Sequence, residues 1–124
     1  MVTSSRERTG FLADILVTAA EGGINYWALM RNYRWEQDAD GNLTMASVEI
    51  ETRPKNPGPS VWQTVSEETI ELGIARVKQP GFQVNRDNLA NILVADREND
   101  ASEIDSEAAD CIIQAALFGE VVYG

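Results

Sequence analysis

Residues 21–35 read EGGINYWALMRNYRW, and the fold turns on where, within them, a helix stops and a strand starts. Upstream, Phe11, Leu12, Ile15, Leu16 and Ala19 recur at helical spacing, with Asp14 and Thr18 left toward water. That pattern predicts a helix over residues 9–21, with Thr9 as its N-cap and residues 1–8 as a flexible lead. Gly22-Gly23 then supplies the left-handed residue at which helices commonly end. A lone Gly-Gly pair is no phosphate loop, because the lysine and the spacing of such loops are missing.

From Ile24 to Trp35 the period becomes two. Trp27, Leu29, Arg31, Tyr33 and Trp35 fall on one face; Tyr26, Ala28, Met30, Asn32 and Arg34 fall on the other. DADGN at 38–42 is turn-forming, and residues 43–53 return with Ala46, Val48 and Ile50 inward and Ser47, Glu49 and Glu51 outward. The two segments make a β-hairpin. PKNPGPS at 54–60 permits only a loop, and VWQTV at 61–65 adds a third strand.

Three helices complete the chain. Ser66 caps the first of them, whose stripe is Ile70, Gly73, Ile74 and Val77; glycine in mid-helix signals close approach of a neighbour. Asn85 or Asp87 opens the next, with Leu89, Ile92 and Leu93 on its apolar side. The connector DRENDASEID leads to the last, capped by Asp105, with Ala108, Cys111, Ile112, Ala115 and Ala116 in one stripe and Gly119 at its end. EVVYG follows as a closing strand or a docked tail. The expected fold is α+β in one domain, residues 1–124: an N-terminal helix, an antiparallel sheet of about three strands, and three further helices.

Composition narrows the chemistry. The chain has 124 residues and no histidine, which removes Ser-His-Asp and Cys-His catalysis and the commonest zinc ligand. One cysteine, Cys111, sits on an apolar stripe beside Asp110 and reads as an inert thiol. Asp96, Glu98, Asp100 and Glu107 match positions of a calcium-loop template, but Ala101 stands where glycine is needed and Glu103 where an apolar residue belongs. Neither a metal nor a cofactor is expected. No apolar run suits a membrane span or a signal peptide, so the expected location is the cytoplasm.

The net charge is −10, carried unevenly: residues 1–62 hold eight acids and six bases, residues 63–124 twelve acids and four bases. Such a surface disfavours direct nucleic-acid binding and attracts a basic protein partner, although acidity also serves solubility. Candidate partner-binding residues are Asp96, Glu98, Asp100, Glu103, Asp105 and Glu107 in the acidic connector, with Tyr33 and Trp35 on the aromatic strand. Four of the nine aromatic residues lie between positions 26 and 35. Packing in the core is the first expectation for them, ahead of an interface or a ligand pocket beside Glu21, Tyr26 and Trp27.

The blocks FLADILVTAAEGGINYWA (11–28), YRW (33–35), ETIELGIARV (68–77) and IIQAALFGEVVYG (112–124) resemble small acidic proteins of actinobacteria and their bacteriophages. The resemblance implies a phage or mobile-element setting and brings no catalytic residue with it. The functional expectation is a non-enzymatic acidic binding protein acting on a host or phage protein, in one version as a nucleic-acid mimic. A pocket-bearing domain, binding or enzymatic, and a homo-oligomeric structural protein are the alternatives.

Overall fold

The computed structural model describes residues 2–37, 40–52 and 61–123, with side chains from residue 7 onward. It is α+β. Helix α1 (Val2–Thr18) runs into a π-turn (Ala19–Gly23); strands β1 (Leu29–Gln37), β2 (Leu43–Thr52) and β3 (Val61–Ser66) follow, then helices α2 (Glu67–Val77), α3 (Arg86–Glu98) and α4 (Ser106–Phe118). The strands form one antiparallel sheet in the order β1-β2-β3. The proline-rich segment 54–60 lies outside the described residues, as do residues 38 and 39 of the hairpin turn. Among the described residues no helix is long and apolar enough to cross a membrane.

The core is where the stripes meet. Ile15 and Leu16 of α1, Val48 and Ile50 of β2, Ile70 and Ile74 of α2, and Ile112 and Ile113 of α4 are all buried together. Gly73 explains how α2 and α4 come so close. A Cβ added there would stand 2.2 Å from the Ile112 carbonyl oxygen, a separation no side chain tolerates. Arg76, one turn later, donates to the Ala115 and Ala116 carbonyls at 3.0 and 2.6 Å, near the end of α4 where carbonyls run short of backbone donors.

The N-terminus departs from the sequence pattern. Thr9 is not a cap, because α1 begins at Val2. Arg8, assigned by sequence to the lead, is a junction instead. It pairs with Glu71 of α2, lies 2.6 Å from Asp96 Oδ1 of α3, and donates to Asn99 Oδ1 at 3.0 Å. The glycine stop is also different. Gly22 and Gly23 are not among the positive-φ residues, and the helix ends by widening: the Ile24 N–H donates to the Ala19 carbonyl at 3.1 Å, a five-residue step.

β1 starts at Leu29, not Ile24, and residues 24–27 form a turn. Its alternation is broken. Asn32 is left-handed (φ 55°), and the pairing with β2 shifts between Arg31 and Arg34 and again before Trp35. A bulge at this point resets which side chains face the helices. The burial of β2 shifts in step, with Met45 rather than Ala46 turned inward beside Val48 and Ile50. The tail after Gly119 is docked, not a strand.

Two glycine substitutions separate packing from propensity. Gly73→Ala forces α2 off α4 and is expected to cost about 3 kcal/mol. Gly10→Ala in α1, where an added Cβ meets nothing within 4 Å, is expected to gain about 0.8 kcal/mol. Urea midpoints moving in opposite directions meet this expectation; a tolerated Gly73→Ala would show that the helix contact is wrongly placed.

Candidate functional site

α4 is apolar nearly all round, and such a helix belongs in the interior. Two polar residues one turn apart on it, Asp110 (6% exposed) and Gln114 (0%), must therefore find partners inside the fold. They do. Asp110 Oδ2 accepts from the Tyr26 hydroxyl at 2.5 Å, and Oδ1 accepts from the Trp27 indole N–H at 2.7 Å and from Gln114 Nε2 at 2.8 Å. Gln114 Oε1 accepts from the Val122 and Tyr123 backbone N–H groups, both at 2.7 Å, and Nε2 also reaches the Tyr123 carbonyl at 3.1 Å. One helix face thus holds both the turn that follows the π-turn and the C-terminal tail.

Aromatic packing supports the same junction. Trp27 stacks on Tyr123 with centroids 5.2 Å apart and planes 6° from parallel, and Phe118 closes the group at 5.6 Å from Trp27. Gly23 lets the π-turn approach: a Cβ there would lie 2.8 Å from the Ser106 carbonyl oxygen at the start of α4. The second glycine of the opening stretch is thus a contact glycine.

Beside this junction lies a cleft of about 640 Å³, walled by the π-turn, Tyr26, the segment before α3, the first turns of α3 and α4, and the tail. Tyr26 presents its ring to it, 59% exposed, while its hydroxyl is tied to Asp110. The desolvated hydroxyl and the adjacent carboxylate hold this phenol well above its ordinary value. Cys111 lines the cleft from a buried position, and burial, followed by the charges of Asp110, Glu107 and Asp105, pushes its thiol up to about 11. It is protonated at neutral pH and a poor nucleophile. Asn88 donates to Glu107 Oε1 at 3.0 Å across the mouth, joining α3 to α4.

The pocket residues named from sequence are only partly assembled. Tyr26 lines the cleft, whereas Trp27 is bound to Asp110 without lining it, and Glu21 is exposed on the π-turn and does not line it either. Asn88 and the pair Asp110 and Gln114 escaped sequence reading as a site, and Glu107 was named only as a connector charge. The signal for the pair was a carboxylate and an amide at i, i+4 within an otherwise apolar helix.

The connector carboxylates are brought together less than sequence suggested. Asp96 is committed inward, to Arg8 and to Lys78 Nζ at 2.8 Å. Burial alone would raise its pKa, but Lys78 and Arg8 outweigh that and hold it below the usual carboxylate range. Asp105 caps α4 through the Ala108 N–H at 2.8 Å, and Asp100 accepts from the Ser102 N–H at 2.9 Å. Glu98 sits 3.5 Å from Arg97. Glu103, Glu107 and Glu98 are left as exposed charges. Among the described residues no group of three or more acidic or thiol ligands converges as a metal site would need.

The aromatic strand is the main correction. Core packing was the first expectation for the aromatic cluster, yet Tyr33 and Trp35, also named as partner-binding candidates, are 46% and 49% exposed, and in β1 only Met30 is even partly buried. β1 is the edge strand of the sheet and carries a bulge at Asn32, and these two rings are left largely uncovered. Leu29 and Leu43 are exposed on the same hairpin. On the face away from α1, Arg31 lies 3.8 Å over the Trp62 ring and 3.4 Å from Glu49. No family model, curated protein or solved structure matches the chain.

Gln114→Glu probes the buried pair. The introduced carboxylate still accepts from Val122 and Tyr123, but it loses the donor to Asp110 and sets two negative charges together. The expected cost at pH 7 is about 3 kcal/mol. Folding raises the pKa of that new carboxyl above about 4.3, so the folded state holds the proton more tightly. The deficit is full above the folded pKa and shrinks as pH falls below it. Gln114→Met, which has no proton to gain, keeps its deficit across the same range. Parallel urea titrations at pH 5 and pH 7 decide the matter; equal pH responses would contradict the geometry.

Proposed function

We propose that this chain is a non-enzymatic binding protein that engages a protein with a basic surface through its β1–β2 hairpin, in a bacterial cytoplasm of phage or mobile-element setting. The observation that carries the reading is the exposure of Tyr33 and Trp35 on an edge strand, with Arg34 between them and Leu43 nearby. Tyr, Trp and Arg are the residues that anchor interfaces, because they bury much area with few rotatable bonds. Edge strands are usually defended by charge or by bulges, and the bulge at Asn32 both distorts this edge and presents the rings.

The net charge of −10 supplies long-range attraction to a basic partner. The nucleic-acid-mimic version has narrower support than the sequence promised, since Asp96 and Asp105 serve the fold itself and leave Glu98, Glu103 and Glu107 as outward charges. A non-enzymatic role fits the chemistry of the buried groups. Asp110 is occupied by three donors, and the Cys111 thiol is held protonated. The cleft beside Tyr26 favours a second reading, small-molecule binding.

Capture from a bacterial lysate on immobilised chain tests the proposal. A basic protein released by raised salt is expected. Tyr33→Ser/Trp35→Ser is expected to speed its dissociation about 30-fold, the scale of an interface anchor. Glu98→Lys/Glu103→Lys is expected to slow its association instead. A captured set that the hairpin substitutions leave unchanged would overturn the assignment of this surface.

A further inference from the structure

The cleft has a definite charge character. Among the described residues its lining holds two carboxylates, Glu107 and Asp110, and no lysine or arginine. The first turns of α3 and α4 open on it, and helix N-termini normally suit anions. Here those turns carry Asp87 and Glu107, so an anion would meet negative charge. Burial is the main cause of the raised Cys111 thiol, and Asp110, Glu107 and Asp105 add to the rise with the same sign.

Geometry adds selectivity to sign. Glu107 gives Oε1 to Asn88 and is otherwise exposed, leaving a carboxylate oxygen for a ligand. Tyr26 is fixed at its hydroxyl by Asp110, lines the cleft and is 59% exposed overall. A rigid aromatic face near a carboxylate, in a concavity backed by a buried polar floor, suits a flat or compact organic cation. The volume of about 640 Å³ is far more than a bare ammonium needs and falls in the range of small-molecule sites.

We propose that the cleft at Tyr26, Glu107 and Asp110 binds an organic cation, a guanidinium or primary ammonium on an alkyl stem. Glu107 pairs with the charged head and the Tyr26 ring packs against it. Asp110 acts through Tyr26 as a positioning residue, since its own oxygens are already taken. The cation is either a free small amine or a basic side chain displayed by another protein, and the chemistry is shared. This site stands apart from the hairpin, so the fate of either proposal leaves the other undecided.

Calorimetric titration of the full chain at low ionic strength is the test, with agmatine, acetyl-Gly-Arg-Gly-amide and the neutral butylurea as probes. One-to-one saturation by a cationic probe and none by butylurea is expected. Saturation by agmatine identifies a free amine as ligand; saturation by the tripeptide alone identifies a protein side chain. Glu107→Gln, in which the new amide oxygen still accepts from Asn88, is expected to weaken binding at least about tenfold. Glu103→Gln changes the net charge equally but lies outside the cleft, and is expected to leave affinity within about twofold. Equal losses in the two variants would mean a diffuse field and overturn the site. So would the absence of saturation by either cationic probe below about 10 mM.

Discussion

A carboxylate and an amide, Asp110 and Gln114, are buried one turn apart on α4, and the arrangement of the molecule follows from the need to satisfy them. A buried ionised group without partners costs several kcal/mol, so α4 can occupy the core only if other segments bring donors to it. Those donors are the Tyr26 hydroxyl and the Trp27 indole from one side and the Val122 and Tyr123 amides from the other. To deliver them, the chain must turn sharply after α1 and the tail must fold back along α4. The π-turn, the contact at Gly23 and the stacking of Trp27 on Tyr123 all serve that one requirement.

The same requirement shapes the functional surfaces. Because residues 24–27 are bound to α4 as a turn, β1 starts late, and the bulge at Asn32 then displaces its aromatic residues to the edge. Tyr26 lines the cleft and Trp27 is bound to Asp110 beside it; Tyr33 and Trp35 are exposed on the hairpin. An aromatic run that is continuous in sequence is thereby divided between two surfaces of different chemistry. The cleft is acidic and concave, whereas the hairpin is open and presents aromatic rings among Arg31, Arg34 and Glu36.

How much of this could be read from sequence depends on the range of the interactions involved. Helices α2, α3 and α4 were legible because their apolar stripes and the caps Ser66, Asn85 and Asp105 are local signals. Gly73 was legible as a close approach, since glycine in mid-helix has few other uses. Gly22 and Gly23 misled, because a Gly-Gly pair at a helix end normally marks a left-handed stop, and only the distant Ser106 carbonyl shows what Gly23 is for. Strict alternation over 24–35 described a longer, unbroken strand, since the bulge and the edge position are set by pairing with β2. In the connector, net charge was legible but engagement was not: the partners of Asp96 lie 88 and 18 positions away in sequence.

Native-state hydrogen exchange at the ends of the Asp110–Gln114 network tests the account most directly. The Trp27 indole N–H and the Val122 and Tyr123 amides lie in a turn and a tail, where exchange is ordinarily fast. If the buried pair organises the fold, these three protons exchange as slowly as the amides at the centre of α4, through the same cooperative opening. Exchange at the rates of an open tail, with α4 still protected, would contradict the claim and separate the tail and the cleft from the core.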